Sequence, residues 1–407
     1  MMPFVVMVKP ISSACNMRCG YCYYLEAGNE KTSSFTMKEE VLDLFIQKYI
    51  RESPGPVVSF TWHGGEPTLA GIPFYEKAIA LQEKYLKDRP DLECWNNLQT
   101  NGLLLDDDWC SFLSAHHFDV GVSIDGNKLC HDYYRKDAAG NDTYERTVQA
   151  IERLKKAGIR PDLLCTVNSE TAKRGKEVYR SLRDLGTGWM QFIPIVVRKD
   201  GSVTADSVTP EAYGAFLKDV FFEWFYHDLG RTEVQLFSET ALALTGKKPN
   251  LCWMAPTCGN VLIVEKDGGI YSCDHFVDPR HRIGSVQQDS FQTLLSTDPQ
   301  KSFGLSKKTS LPKECLDCPW LSLCGGGCLK DREGKYYLCD GLKAYFDYAV
   351  IRLKRAMQLS AEKIPSPQIQ SMVIQEERAR YQHVGRNDLC PCGSGLKFKF
   401  CCQKRVP

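Results

Sequence analysis

Three cysteines near the start of the chain have a spacing that suits an iron–sulfur cluster. They are Cys15, Cys19 and Cys22, and they follow an apolar segment, residues 4–8, that predicts a strand. Three thiolates on one loop can bind three irons of a [4Fe–4S] cluster and leave the fourth iron open to a substrate or cofactor. The alternative is a structural zinc knuckle, although zinc sites usually combine two cysteine pairs and close with four ligands.

Eight further cysteines form a second group. They are Cys252, Cys258, Cys273, Cys315, Cys318, Cys324, Cys328 and Cys339. Eight thiolates make two full sets of four cluster ligands, and a pair of structural zinc sites is the alternative. Four other cysteines lie in apolar or isolated contexts and are expected to be small buried side chains: Cys94, Cys110, Cys130 and Cys165.

The end of the chain carries a third group, Cys390, Cys392, Cys401 and Cys402, with the spacing C-x-C-x8-C-C. Four thiolates within so short a unit predict a closed zinc site, without which the unit has too little core to fold. Nearby lysines make it locally basic. It could serve as a docking surface or as a simple stability tag.

Composition limits the remaining readings. The 407 residues include 51 basic and 50 acidic side chains, so we expect no general attraction to nucleic acid or acidic membranes. No apolar run approaches the roughly 20 residues of a membrane span, and we see no signal peptide. Nineteen cysteines then favour metal ligands in a reducing, cytoplasmic setting.

Six short apolar segments predict parallel strands: residues 4–8, 57–62, 94–100, 120–124, 163–167 and 190–196. Amphipathic stretches between them predict helices at 39–51, 73–87, 143–157 and 172–185. This alternation predicts an α/β fold with an incomplete (β/α)6 barrel. Because chemistry in βα barrels lies at the carboxyl ends of the strands, the first cysteine loop falls on the reactive face.

The predicted domains are a barrel at 1–230, a mostly irregular cysteine-rich domain at 231–360, a polar linker at 361–383 and the zinc unit at 384–407. A further helix is expected at 211–226, after a polar loop that begins near residue 197.

The C-x3-C-x2-C loop with Tyr21 and the segment His63-Gly64-Gly65-Glu66-Pro67 resemble the radical S-adenosylmethionine (SAM) enzymes. The resemblance implies that Tyr21 and Gly65 belong to the SAM site and that Gly65 lies at the amino group. It further implies that Ser123 and Arg135 reach the ribose and carboxylate, and that the backbone of Val196 contacts the adenine. The alternative for the glycine segment is an ordinary turn without a ligand, and the alternative for Arg135 is a solvent-exposed cation.

The later cysteines resemble the SPASM signature, and the last four resemble the SEC-C zinc motif. By the SPASM pattern, one auxiliary cluster is held by Cys252, Cys258, Cys273 and Cys328. The other is held by Cys315, Cys318, Cys324 and Cys339. The resemblances therefore imply three [4Fe–4S] clusters, SAM and one Zn²⁺.

Several segments across about residues 4–355, such as Arg135-Lys136-Asp137 and Tyr271-Ser272-Cys273-Asp274, resemble the anaerobic sulfatase-maturating enzymes. These enzymes oxidise a cysteine or serine of a sulfatase polypeptide to Cα-formylglycine. The resemblance implies that Asp274 is the general base, whereas its residue type alone suggests a turn cap. His63 replaces the glutamine expected at its position. A low-potential donor such as ferredoxin or flavodoxin and a monomeric state are also expected.

Two other readings remain open. One is a different SPASM peptide maturase, such as a thioether-forming enzyme, although those commonly begin with a peptide-binding domain. The other is a non-catalytic, zinc-rich adaptor that binds through its tail. Neither the preference between cysteine and serine nor the target sulfatase follows from the sequence.

Overall fold

The computed structural model describes residues 1–25, 35–391 and 395–405. The chain divides into two compact units. Unit one comprises Met1–Ile124, His131–Leu164 and Pro256–Ser310, and unit two comprises Asp125–Cys130, Cys165–Ala255 and Leu311–Pro407. The division by contacts is discontinuous along the chain, so the domain boundaries near residues 230 and 360 stay a prediction.

The strands are β1 (Val5–Lys9), β2 (Val57–Trp62), β3 (Glu93–Thr100), β4 (Asp119–Ser123), β5 (Asp162–Val167), β6 (Trp189–Pro194), β7 (Arg198–Lys199), β8 (Ser202–Val203), β9 (Glu233–Val234), β10 (Val261–Glu265), β11 (Gly269–Tyr271), β12 (Arg282–Ser285), β13 (Arg332–Glu333) and β14 (Lys335–Tyr336). The helices are α1 (Glu39–Glu52), α2 (Ile72–Leu86), α3 (Asp107–Ala115), α4 (Lys128–Tyr134), α5 (Tyr144–Lys156), α6 (Gly175–Asp184), α7 (Pro210–Glu223), α8 (Gln235–Leu244), α9 (Phe291–Ser296), α10 (Asp298–Thr309), α11 (Lys313–Leu316), α12 (Leu321–Cys324), α13 (Cys339–Ala361) and α14 (Ser366–Tyr381).

Strands β1 to β6 confirm the six predicted strands, with ends that move by at most two residues. In unit one, the order β10-β1-β2-β3-β4 is parallel throughout, and β4 continues the ladder onto the first residues of β5. Parallel strands place their carboxyl ends on one edge, so the loops after β1, β2, β3 and β4 meet there.

A strand from the second half of the chain extends this sheet. Strand β10 pairs in parallel with β1 and places Glu265 opposite Lys9, and β11 and β12 follow it in antiparallel order. The barrel prediction did not include these strands. Because these strands join the sheet, residues 256–310 belong to the same unit as the first cysteine loop.

An aromatic core fixes α1 and α9 to the sheet in unit one. The rings of Phe45, Tyr49 and Phe60 are buried, and Phe291 of α9 lies 6.1 Å from Tyr49 between ring centroids. These apolar contacts hold the amino-terminal strands in place and so position the loops at their other ends.

Unit two is built around the long helix α13. It approaches α7 so closely that a Cβ on Gly214 would lie 2.9 Å from the Cα of Gly341. Residues 231–360 therefore contain more regular structure than expected. Residues 361–383, expected as a linker, contain α14, which packs on α13 through a buried ion pair of Arg352 and Glu377 at 2.8 Å. Within the described ranges, every helix is too short or too polar to span a bilayer.

Candidate functional site

The loop after β2 clamps the backbone of the first cysteine loop. The amide of Gly65 donates to the Ser12 carbonyl at 2.8 Å, and that of Glu66 donates to the Ala14 carbonyl at 2.8 Å. A Cβ on Gly65 would lie 2.0 Å from the Ala14 oxygen. Glycine is therefore required here for close backbone approach, and the Gly65 amide is already engaged within the protein.

Glu66 connects three of the loops on this edge. Its side chain is fully buried, and Oε1 accepts hydrogen bonds from the hydroxyls of Thr68 at 2.6 Å and Thr100 at 2.7 Å. Its Oε2 accepts the amide of Asn101 at 2.7 Å. Burial raises the pKa of Glu66, and these donors oppose the shift. The carboxyl group thus joins the loops after β2 and β3, and the backbone amide of Glu66 bonds the cysteine loop at Ala14.

The thiols of the first loop lie in a setting that fits cluster binding. The sulfur of Cys15 accepts from the Met17 amide at 3.3 Å and from Asn101 Nδ2 at 3.8 Å. Burial raises the pKa of Cys15, and the charge of nearby Cys22 adds to this. Hydrogen-bond donors aimed at a sulfur, here one backbone and one side-chain amide, stabilise a cluster thiolate, so this loop fits an iron–sulfur cluster.

The predicted SAM residues fall into two places. Arg135 and Tyr21 are both buried in unit one, and Arg135 Nη1 donates to the Tyr21 hydroxyl at 2.9 Å. Ser123, at the end of β4, accepts from Gln99 Nε2 at 3.0 Å. Val196 lies in unit two, two residues beyond β6, and its carbonyl accepts from Lys330 Nζ at 2.8 Å.

Asp274 lies among three hydrogen-bond donors in unit one. Its Oδ1 pairs with Lys9 Nζ at 2.7 Å. Its Oδ2 accepts from the hydroxyls of Tyr23 at 2.5 Å and Tyr24 at 2.7 Å. Because both tyrosines directly follow Cys22, these bonds place the first cysteine loop beside the Cys273-Asp274 segment.

Charges around Asp274 keep its carboxyl group ionised. Burial alone would raise the pKa of Asp274, but nearby positive charge, chiefly that of Lys9, outweighs it and holds the pKa well below the usual value. Lys9 is almost fully buried and also faces Glu265 at 3.4 Å. The result is an ionised proton acceptor that is largely shielded from water.

His63 adjoins this carboxylate group in a neutral state. Burial lowers its pKa, with Lys9 acting in the same direction and Asp274 opposing it. The Gly64 amide donates to His63 Nδ1 at 2.8 Å, which makes Nδ1 an acceptor, and the Tyr24 hydroxyl is 3.4 Å from the same nitrogen.

Four cysteines line one cavity in unit two, and they are the four that the SPASM pattern assigns to the second auxiliary cluster; that assignment stays a prediction. They are Cys315, Cys318, Cys324 and Cys339, and the walls include Trp320 and Phe346. Burial raises the pKa of Cys339 to about 11. Four thiols around one cavity with largely apolar walls are a donor set that fits an iron–sulfur cluster.

The other predicted auxiliary ligands are divided between the units. Cys252 and Cys328 belong to unit two, where burial and then nearby charges including Cys252 raise the pKa of Cys328 to about 11. Cys258 and Cys273 belong to unit one. Their assignment to one cluster stays a prediction.

The sulfurs of Cys390, Cys401 and Cys402 gather in the tail, within 4.8 Å of one another. The Cys401 and Cys402 sulfurs are 3.8 Å apart, which matches the roughly 3.8 Å edge of a tetrahedron with Zn–S bonds of about 2.3 Å. These three thiols therefore fit zinc. Cys392, the fourth predicted ligand, lies outside the described residues.

Family models match three parts of the chain. The radical SAM superfamily matches residues 10–182, an iron–sulfur cluster-binding domain of the SPASM type matches residues 252–319, and the SEC-C motif matches residues 386–404. The first and third matches contain a whole cysteine group each, and the second contains five of the eight later cysteines: Cys252, Cys258, Cys273, Cys315 and Cys318.

Curated relatives match nearly the whole chain. A serine-type anaerobic sulfatase-maturating enzyme of Bacteroides thetaiotaomicron is 37% identical over 372 residues, which cover 85% of this chain and 89% of that protein. This chain belongs to the anaerobic sulfatase-maturating enzymes. A cysteine-type member of the family from Clostridium perfringens is 35% identical, over 87% of this chain and 98% of its own length.

A solved structure of this family supports the same fold. Native anSMEcpe with bound AdoMet and the Cp18Cys peptide superimposes with a TM-score of 0.81 at 33% identity, and the match covers 89% of this chain and 100% of that one. The α/β fold of a radical SAM barrel with a SPASM domain, predicted from the sequence, is confirmed.

Sequence reasoning missed several residues of the site. None of Lys9, Glu66, Tyr23 and Tyr24 was assigned a role from the sequence. A signal for Lys9 exists, since a lysine directly after an apolar parallel strand lies next to the sheet core, and a lysine that is buried there requires a counter-charge.

Proposed function

We propose that this chain oxidises a cysteine or serine side chain of a sulfatase polypeptide to Cα-formylglycine, with SAM as the oxidant. One observation chiefly supports the proposal. The hydroxyls of Tyr23 and Tyr24, which directly follow Cys22, donate hydrogen bonds to the carboxylate of Asp274. This arrangement brings a radical-generating loop and a proton acceptor to one place.

The cofactors are assigned to three groups of cysteines. Cys15, Cys19 and Cys22 would hold the cluster that binds SAM, the eight later cysteines would hold two auxiliary clusters, and the tail would hold Zn²⁺. When bound, the first cluster and SAM supply the 5′-deoxyadenosyl radical that removes a hydrogen atom from the target Cβ, and the auxiliary clusters accept an electron.

The residues of the chain position SAM and the target. Arg135 suits the SAM carboxylate because a guanidinium binds carboxylates through two parallel hydrogen bonds. Tyr21 orients Arg135, and Ser123 is oriented by Gln99. Gly65 allows its loop to pack closely against the cysteine loop. We keep the assignment of the Val196 backbone to the adenine of SAM.

Asp274 would accept the proton of the target thiol or hydroxyl. Its pKa lies well below the usual value, so it is ionised at neutral pH and able to take a proton. Positioned proton transfer of this kind typically contributes about 10²–10⁴ in rate. Lys9 fixes the opposite carboxylate oxygen and so directs Oδ2 toward the reaction.

The partners follow from this chemistry. We propose an unfolded or nascent sulfatase polypeptide as substrate, a ferredoxin or flavodoxin as electron donor, and a monomer acting in the cytoplasm. The nearly balanced charge of the chain, 51 basic against 50 acidic residues, gives no reason to invoke nucleic acid.

A product assay tests the proposal. Anaerobically reconstituted enzyme is incubated with SAM, a reductant and sulfatase-motif peptides that carry cysteine, serine or alanine at the target position. We expect formylglycine by mass spectrometry from cysteine, serine or both, and no change in the alanine peptide.

The control is the variant in which Cys15, Cys19 and Cys22 are all replaced by alanine. It should lose 5′-deoxyadenosine production while the auxiliary clusters remain. Undiminished production in this variant, or a thioether in place of the aldehyde, would overturn the proposal.

A further inference from the structure

The Oδ2 oxygen of Asp274 is already saturated with hydrogen bonds. A carboxylate oxygen accepts two hydrogen bonds through its lone pairs. Both positions on Oδ2 are taken, by Tyr23 at 2.5 Å and Tyr24 at 2.7 Å. The other oxygen, Oδ1, is buried and paired with Lys9. A target hydroxyl or thiol can therefore reach Oδ2 only if one phenol leaves.

The two phenols are held very differently. Tyr24 is 8% exposed, its ring faces the Lys9 ammonium at 4.4 Å, and its hydroxyl is 3.4 Å from His63 Nδ1. Tyr23 is 37% exposed and has ring contacts with Tyr24 and His275. Displacing Tyr24 would break a cation–π contact and expose buried surface. Displacing Tyr23 breaks its hydroxyl contacts with Asp274 and Tyr24 and two ring contacts, but no cation–π contact of Tyr23 is among the described ones.

We propose that the Tyr23 hydroxyl holds the place of the target side chain and yields when the peptide binds. The inference rests on the proposed function, since it assigns the reacting hydroxyl or thiol to Asp274. On binding, one O–H or S–H donor replaces another at Oδ2, and no bond other than a hydrogen bond changes. Tyr24 and Lys9 remain in place and keep the carboxylate oriented.

This exchange has a consequence for the choice of substrate. A serine hydroxyl replaces the phenol with a donor of similar kind, whereas a cysteine S–H is a weaker donor. In the exchange, a cysteine peptide therefore recovers less of the hydrogen bond given up by Tyr23 than a serine peptide does. Removing the Tyr23 hydroxyl removes the same cost for both, so both peptides should bind more tightly.

Peptide binding tests the exchange without catalysis. The fully reconstituted enzyme is loaded with SAM, reductant is omitted, and the Kd of peptides with serine, cysteine or alanine at the target position is measured by calorimetry. In wild type, serine and alanine peptides should bind within about threefold of each other, because one hydrogen bond replaces another. In Tyr23→Phe, the serine and cysteine peptides should bind about tenfold tighter and the alanine peptide should be unchanged.

Tyr85→Phe is a matched control, because the Tyr85 hydroxyl donates to Asp43 at 2.6 Å elsewhere in the same unit. It should leave all three affinities unchanged. Equal shifts for the alanine and serine peptides in Tyr23→Phe, or no shift for either, would overturn the exchange. Formylglycine production by wild type reports separately on the proposed function, so the two failures are distinguishable.

Discussion

At the scale of single residues, the site depends on a buried cation. Lys9 has 1% of its surface exposed and lies between Asp274 at 2.7 Å and Glu265 at 3.4 Å. A buried charge is tolerated only when it is paired, and removing one partner leaves the others uncompensated. Lys9 thus determines both the orientation and the ionisation of the proton acceptor.

Replacing Lys9 should change how the ratio of formylglycine to 5′-deoxyadenosine depends on pH. In wild type, the pKa of Asp274 is low, so the ratio of formylglycine to 5′-deoxyadenosine should stay level from about pH 8.5 to 5.5. In Lys9→Met, burial is opposed by fewer charges and the pKa rises. The ionised fraction, and with it the ratio, should then fall as the pH is lowered.

Two companion variants make that measurement specific. Lys9→Arg keeps the charge and should stay close to wild type. Lys48→Met removes a lysine whose Nζ contacts the Asp289 carbonyl, and it should leave the profile level. A level ratio in Lys9→Met would refute the role given to Lys9.

At the scale of elements, the close contact between the loops after β1 and β2 determines whether the first cluster can form. The contact depends on a missing side chain, because a Cβ on Gly65 would meet the Ala14 carbonyl at 2.0 Å. A distance below 3.0 Å to backbone cannot be relieved by a side-chain rotation. The cysteine loop itself would have to shift.

Gly65→Ala should therefore reduce the iron content selectively. We expect a loss of about four of roughly twelve irons per chain and of 5′-deoxyadenosine production, with the auxiliary clusters retained. Gly158→Ala is the control, since its Cβ would meet open space and only its φ of +85° is strained. Full iron content in Gly65→Ala would contradict the claim that the close contact at Gly65 is needed for the first cluster.

The elements also show what the sequence can predict. Strands β1 to β6 are predictable because apolar runs of their length fit a buried parallel sheet. The pairing of β10 with β1 is not, because it joins residues more than 250 positions apart and no local pattern encodes it. The packing of α14 was missed because Glu377 interrupts its buried stripe of Ile369, Val373 and Tyr381, and its partner Arg352 lies on another helix.

The site was predictable to a similar degree. The cysteine groups carry their chemistry in their spacing, so each was assigned from the sequence. The role of Asp274 came from resemblance alone. The cage of Lys9, Tyr23 and Tyr24 around it could not be predicted, because it depends on contacts between β1, the first loop and the segment after β11.

At the scale of the whole molecule, the tail unit is attached to the rest of unit two. Phe398 stacks on Tyr381 of α14 with ring centroids 5.3 Å apart, and α14 packs on α13. The residues assigned to SAM, proton transfer and electron exit all lie before the tail. The zinc unit should therefore contribute to stability or docking rather than to chemistry.

Removing residues 384–407 tests this separation. We expect the loss of about one zinc per chain and nearly unchanged oxidation of a short peptide. Cys402→Ser in the full chain should also lower the zinc content while keeping the rest of the tail. If the shortened protein binds SAM normally yet fails to oxidise a short peptide, the tail takes part in the reaction.

The role of Asp274 as the proton acceptor is tested most directly by measuring 5′-deoxyadenosine and formylglycine together in Asp274→Asn. This change keeps the shape of the side chain but removes the proton acceptor. We expect 5′-deoxyadenosine still to be formed while the formylglycine yield falls by about 10² or more. Equal loss of both products, or formylglycine at the wild-type ratio, would contradict that role.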